Sequence, residues 1–171
     1  LGTPYKKGDW KLFAIHTDAE IKGFFGDYRF LSNFWPVQVN LDGILYTSVE
    51  LAYQASKWKA GSDREYFTKC TSLQSIEYNR TRTPNGYTPS EWNTVKVSIM
   101  RFLLEQKFDT KKNPELHTRL LTTGTRYLEE MNWWGDLFWG TDKEGKGENM
   151  LGKLLMEVRG RQQGASFPGA Y

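Results

Sequence analysis

The period of apolar positions changes several times along the chain. Residues 21–46 have a strand-like texture, and in "VQVNLDGILY" the pair Asp42-Gly43 stands between two apolar runs, the signature of a hairpin. Residues 1–20 are mixed and read as an extended lead-in, with "WKLFAIH" as a short strand. Residues 47–58, "TSVELAYQASKW", predict a helix that stops in "KAGS" at Gly61, followed by a short helix around "DREYFTKC". "NRTRTPNGYTP" reads as a polar loop. The spacing of Trp92, Val95, Ile99, Phe102 and Leu103 predicts a long helix over "SEWNTVKVSIMRFLLEQKF", capped by Ser90. In "NPELHTRLLTTG", Asn113 caps, Pro114 takes the first helical position and Gly124 ends the turn. "NMLGKLLMEVR" sets Leu151, Leu154, Leu155 and Val158 on one face of a closing helix. These elements predict a mainly α chain with a small antiparallel β element, an α+β fold.

The helix of residues 47–58 carries polar groups where an apolar stripe is usual. Glu50, Tyr53, Gln54 and Lys57 fall at i, i+3, i+4 and i+7. Two plain readings exist: Thr47 and Glu50 fit a capping box, and Lys57 fits a surface or C-terminal lysine. Against them, Val49, Ala52 and Ala55 opposite the stripe are small and offer only a thin core contact. Glu50 and Lys57 are also about 10 Å apart along the axis, too far to pair unless both side chains converge on something between them.

Composition narrows the classes. With 171 residues, 39% hydrophobic and 25% charged, the chain is globular in character, and no apolar run is long enough to span a membrane. A net charge of +3 permits an anionic ligand without demanding one. One cysteine, Cys70, precludes an internal disulfide framework, and with two His no zinc pattern is present, so no metal and no cofactor are expected. An intracellular, cytoplasmic location is expected, with the nucleus as a second compartment and no membrane partner.

Two further stretches carry chemistry. "EEMNWWGDLFWGTDKEGKGENMLG" holds Glu129, Glu130 and Asp136 among three Trp and five Gly. Glycines allow close backbone approach and indole faces stack on flat rings; core packing and an ordinary acidic turn account for the same composition. Trp133 and Trp134 are adjacent, so they cannot both face inward on a strand, and one of them is expected to line a cleft. "KEGKGEN" resembles a glycine-rich phosphate loop but lacks the spacing of one. In "FFGDYRFLSNFWP", Arg29, Ser32 and Asn33 interrupt a strand of aromatics with groups suited to a phosphate or ribose.

In order along the chain stand "FLSNF" at 30–34, "SVELAYQASK" at 48–57, "EWNTVKVSIM" at 91–100, "EMNWWGDLFWG" at 130–140 and "GENMLGKLLMEVR" at 147–159. Together they resemble the NADAR family, over a span of about residues 21–161. Glu91 stands where Asp is commoner before the Trp, and Gly135 where many relatives have His. The loop 79–89 lacks the usual alanine-containing pattern, and residues 1–20 have no counterpart. The resemblance implies a single NADAR-like catalytic domain over 21–163, between a lead-in of 1–20 and a tail of 164–171.

It also implies N-glycosidic chemistry on an ADP-ribose or ribose-phosphate conjugate: removal of ADP-ribose from the amino group of guanine in DNA or RNA, or cleavage of phosphoribosylamino intermediates of riboflavin synthesis. ADP-ribose would be a product of the first. Glu50, Lys57 and Asp136 are the catalytic candidates. Substrate contacts fall to Arg29, Ser32, Asn33, Tyr53, Gln54, Trp92, Glu130, Asn132, Trp134, Trp139, Gly147 and Asn149. A non-catalytic ADP-ribose or NAD-binding module is the competing reading. It would use Arg29, Asn33 and the tryptophans but has no need of Glu50 and Lys57 together.

Overall fold

The computed structural model describes residues 6–165. Lys7–Phe13 forms a 3-10 helix, and strand β1 is only Ile15–His16, so "WKLFAIH" keeps strand character in its last two residues alone. β1 pairs antiparallel with β2 (Glu20–Lys22), setting Ile15 opposite Lys22. The strand texture of "FFGDYRFL" gives way to a second 3-10 helix, Gly26–Leu31. There Phe25 O accepts from Tyr28 N and Arg29 O accepts from Ser32 N, both at 3.1 Å, and this three-residue period buries Phe30 and Leu31.

The hairpin is formed by β3 (Val39–Leu41) and β4 (Ile44–Tyr46). Asp42 and Gly43 both take left-handed backbone, φ 52° and 83°, as a two-residue hairpin turn requires.

Helix α1 is Val49–Ser56, and its cap is Ser48, whose Oγ accepts from Leu51 N at 3.1 Å. Glu50 is therefore the second helical residue, and the capping box expected from Thr47 is not formed. The helix also ends before Gly61. That glycine, at φ 138°, instead opens α2 (Ser62–Tyr66). The chain after α1 is held by the loop expected at 79–89, because Gly86 N donates to Lys57 O at 2.8 Å and Lys59 N donates to Asn85 Oδ1 at 3.0 Å. A Cβ at Gly86 would lie 2.5 Å from Lys57 O, so only glycine allows this approach.

Helix α3 (Ser72–Thr81) was not predicted and takes the start of that loop. It has no apolar stripe, since Leu73 is 71% exposed and only Ser75 is buried. Its local signal is the reciprocal capping box of Thr71 and Gln74. Helix α4 (Pro89–Lys107) is capped by Thr88 rather than Ser90, with Pro89 at the first position and Glu91 closing a capping box. Its buried face is Met100, Leu103, Leu104 and Lys107, while Phe102 is 50% exposed and Trp92, Val95 and Ile99 are half-buried.

Helix α5 (Pro114–Thr122) ends as expected at Gly124, φ 64°. Strand β5 (Tyr127–Glu129) then adds to β2 in parallel, giving the order β1-β2-β5, so the β structure is not wholly antiparallel. Helix α6 (Met150–Ala165) buries Leu151, Leu154, Leu155 and Val158 as the pattern predicts. Gly152 lets it lie on β5, since a Cβ there would sit 2.1 Å from Leu128 O.

The described residues group into two compact units, one from the described parts of Leu1–Ser32 and Glu115–Tyr171 and one of Asn33–Pro114. The first is a three-stranded sheet with α6 on β5, burying Phe13, Ile21, Leu128 and Leu155. In the second, α1 is packed by α3, α4 and the hairpin. Val49, Ala52 and Ala55 are wholly buried there, so the small residues opposite the polar row bring neighbouring backbones close rather than leaving the helix thinly packed. The fold class is α+β. Among the described residues no helix is long and apolar enough to cross a membrane.

Candidate active site

The polar row of α1 is not a solvated face. Tyr53 and Gln54 are buried, and Glu50 and Lys57 are half-buried. Gln54 stands between the two charges: its Nε2 donates to Glu50 Oε1 at 2.8 Å, and its Oε1 accepts from Lys57 Nζ at 2.9 Å. The acid and the amine are thus joined through one amide. Lys57 Nζ also lies 5.3 Å from the centroid of the Tyr53 ring and 5.6 Å from that of Trp92, distances at which a ring face attracts a cation. Tyr53 and Trp92 contact each other at 5.3 Å, and Tyr87 extends the aromatic wall beyond Trp92 at 5.8 Å.

Asn33 joins this group through its backbone, its O accepting from Glu50 N at 3.0 Å and so holding the first turn of α1. Its side chain is buried, with Nδ2 on Met100 Sδ at 3.5 Å and Oδ1 lacking a hydrogen-bond partner. The 33–114 unit therefore brings together Asn33, Glu50, Tyr53, Gln54, Lys57 and Trp92. Two of its residues, Asn79 and Gly86, lie in the stretch read from the sequence as a polar loop and were not among the site candidates. Gly86 fixes the backbone at Lys57, and Asn79 Nδ2 donates to Gln54 Oε1 at 2.7 Å.

The remaining candidates lie in the other unit. Arg29 Nη1 donates to Ser32 Oγ at 3.0 Å. The loop 130–149 is built largely by its own polar side chains. Asn132, 2% exposed, accepts from Asp136 N at 3.1 Å and donates to Asp136 O at 2.8 Å. Asp136 Oδ1 in turn accepts from Trp139 N at 2.9 Å and Phe138 N at 3.2 Å. Asn149, buried at φ 50°, accepts from Glu130 N at 3.0 Å and donates to Leu128 O at 2.9 Å. Gly147 packs on the backbone, since a Cβ would lie 2.3 Å from Gly140 O. Of the two adjacent indoles, Trp133 stacks on Phe25 at 5.3 Å, whereas Trp134 is 50% exposed. Trp139 is half-buried against Phe138 at 4.9 Å.

At the end of β5, just before this loop, stands an acid that the sequence reading gave no role: Glu129, buried, accepts from Thr141 Oγ1 at 2.5 Å and faces Lys22 Nζ at 3.7 Å. Burial works to lower the Lys22 pKa, but Glu129 and Glu20 outweigh it and hold the amine above its usual value. Among the described residues no group of three or more His, Cys, Asp or Glu is placed to hold a metal ion.

The bonds of Asn149 make a prediction. Asn149→Ala leaves Glu130 N and Leu128 O without their side-chain partner, at a left-handed φ that asparagine adopts more readily than alanine. Each buried group left unsatisfied costs about 1–3 kcal/mol, so urea unfolding should show a loss of that order or more. A loss below about 0.5 kcal/mol would mean that water replaces the side chain.

Comparison with known proteins gives a consistent answer. The NADAR domain family model matches residues 20–162. The N-glycosidase YbiA of Escherichia coli is 35% identical over 136 residues, covering 78% of this chain and 81% of that protein. A riboflavin biosynthesis protein of Vibrio vulnificus is 32% identical over 133 residues, but this chain spans only 35% of its length. The NMR structure of Escherichia coli YbiA superposes with a TM-score of 0.75 at 28% identity, covering 95% of each chain.

Proposed function

The chain belongs to the NADAR family and is related to N-glycosidases, and on that premise we propose that it hydrolyses the N-glycosidic bond joining ADP-ribose to the amino group of guanine in nucleic acid. The observation that carries the reading is the joining of Glu50 and Lys57 through Gln54, beside the rings of Tyr53 and Trp92. An N-glycosidic bond breaks when the departing amine gains a proton and the sugar C1 tolerates positive charge. A carboxylate can move the proton or stabilise the charge, and an amine can form a covalent adduct.

The C1–O4 bond of the ribose opens as the ring oxygen takes a proton, leaving C1 as an imine of the guanine amino group. Lys57, as free amine, adds to C1; the guanine amine leaves with a proton supplied through Glu50, and C1 is then bonded to Nζ as an iminium. Water adds to C1 with Glu50 taking its proton, the lysine departs, and the ribose ring recloses. Within the 33–114 unit, Asn33 serves a ribose hydroxyl and Trp92 stacks on a flat ring; in the other unit, Arg29 with Ser32 is suited to a phosphate and the exposed Trp134 to a flat ring. Asp136, Asn132, Asn149 and Gly147 support the loop that carries Glu130, Trp134 and Trp139. Asp136→Asn separates that support from chemistry, since an amide oxygen still accepts from both backbone N–H groups.

The name of the Vibrio relative favours a second reading, a phosphoribosylamino intermediate of riboflavin synthesis as substrate. Parallel hydrolysis assays on an ADP-ribosylated guanine oligonucleotide and on the phosphoribosylaminopyrimidine separate the two. Faster release from the oligonucleotide is expected; turnover of the pyrimidine alone would install the second reading. Free ADP-ribose should also raise Tm, because a ligand bound only to the folded state stabilises it by mass action. No shift at millimolar ADP-ribose would remove the adenosine subsite from the account.

A further inference from the structure

Gln54 can serve Glu50 and Lys57 only if its amide faces one way, and a side-chain amide has no intrinsic preference between its two ends. Reversed, its N–H groups would meet the lysine ammonium, and its oxygen would meet the Glu50 carboxylate. The two charges impose the unreversed sense while Glu50 is a carboxylate and Lys57 an ammonium. The proposed steps move a proton at each, so an amide that keeps its direction throughout needs a further partner.

The chain of hydrogen bonds behind Gln54 supplies one. Trp58, directly after Lys57 and buried at 5% exposure, donates its indole N–H to Asn79 Oδ1 at 2.6 Å. An indole nitrogen is a donor only, so the atom of Asn79 that faces it must be oxygen. Asn79 Nδ2 is thereby turned toward Gln54, donating to its backbone O at 3.0 Å and its Oε1 at 2.7 Å. The atom of Gln54 facing Asn79 must then be oxygen, and Nε2 is left for Glu50. One donor-only group sets two ambiguous amides in succession. The link is tertiary, since Asn79 lies on α3, a helix that packs on α1 without an apolar stripe of its own.

We infer that Asn79 and Trp58 are positioning residues that fix the direction of the Gln54 amide, so that it presents N–H to Glu50 and oxygen to Lys57. Their part in turnover rests on the N-glycosidase reading; the amide direction does not.

The test uses Asn79→Asp, which keeps the shape and the acceptor for Trp58 but has no N–H for Gln54, with Asn79→Leu as a second variant that removes both. The direct readout is the Gln54 side-chain NH2 signal in a ¹⁵N correlation spectrum, assigned by its loss in Gln54→Met. In the parent its protons should be shifted and slow to exchange; in both Asn79 variants they should move toward free-amide positions while the backbone spectrum stays folded. In turnover, Asn79→Asp should lower kcat on the order of tenfold with KM nearly unchanged. In the Gln54→Met background, the same change should have less than a twofold further effect, because coupled residues are non-additive. A Gln54 signal unmoved in both Asn79 variants, or losses that multiply in the double variant, would overturn the inference. A moved signal in a protein whose parent hydrolyses neither conjugate would support the amide direction and defeat the functional reading instead.

Discussion

Glu50→Ala is expected to lower kcat on the guanine conjugate by about 10²–10⁴-fold, the range for loss of a positioned acid or base, while the protein still folds. The structure separates these two effects. Glu50 takes no part in the cap of α1, which Ser48 makes through Leu51 N, so the stability expected to vanish with a capping glutamate is not at stake. Among the contacts the fold loses is the half-buried hydrogen bond from Gln54 Nε2, a bond to a charged group worth about 1.5–3 kcal/mol. Parallel measurement of kcat and of urea unfolding checks both. Near-normal turnover in a stably folded Glu50→Ala protein would take the carboxylate out of the mechanism.

Lys57→Arg is expected to lose turnover to a similar degree although charge is preserved. Arginine can keep the contact with Gln54 Oε1 and the ring faces of Tyr53 and Trp92, but it stays protonated and cannot form an imine. A free lysine amine is scarce at neutral pH, so the proposed adduct needs a deprotonated fraction, and contact with the substrate would have to supply it by excluding water. Borohydride added during turnover should reduce the iminium and leave a mass increase on the peptide containing Lys57. An active Lys57→Arg enzyme with no trapped adduct would assign Lys57 to substrate contact and leave attack by water, assisted by Glu50, as the mechanism.

The sequence was most readable where a residue's role depends on near neighbours. Asp42-Gly43 fixed the hairpin because both positions need left-handed backbone. The spacing of Leu151, Leu154, Leu155 and Val158 gave α6 because that helix buries one face. Glu50, Gln54 and Lys57 could be picked out together because they share one helix. Tertiary contact hid the rest. Helix α3 buries almost nothing of its own, so periodicity could not find it, and the capping box of Thr71 and Gln74 was its single local mark. Strand β5 is three residues long, and its parallel pairing with β2 joins segments far apart in sequence. Asn79 and Gly86 matter through groups more than twenty residues away. In "EMNWWGDLFWG" the motif was legible but not its division of labour: Asn132 and Asp136 spend hydrogen bonds on backbone, whereas Trp134 is left exposed.

The central claim is that this chain cleaves the bond between ribose C1 and an exocyclic amine with Glu50 taking part. Its most direct test is a time course of an ADP-ribosylated guanine oligonucleotide with the parent protein and with Glu50→Gln, which keeps the size of the side chain and removes its charge. The account predicts that the parent releases free ADP-ribose and unmodified oligonucleotide in equal amounts, while Glu50→Gln, equally well folded, releases neither above background. Equal rates from the two proteins, or an unchanged oligonucleotide with the parent, would contradict it.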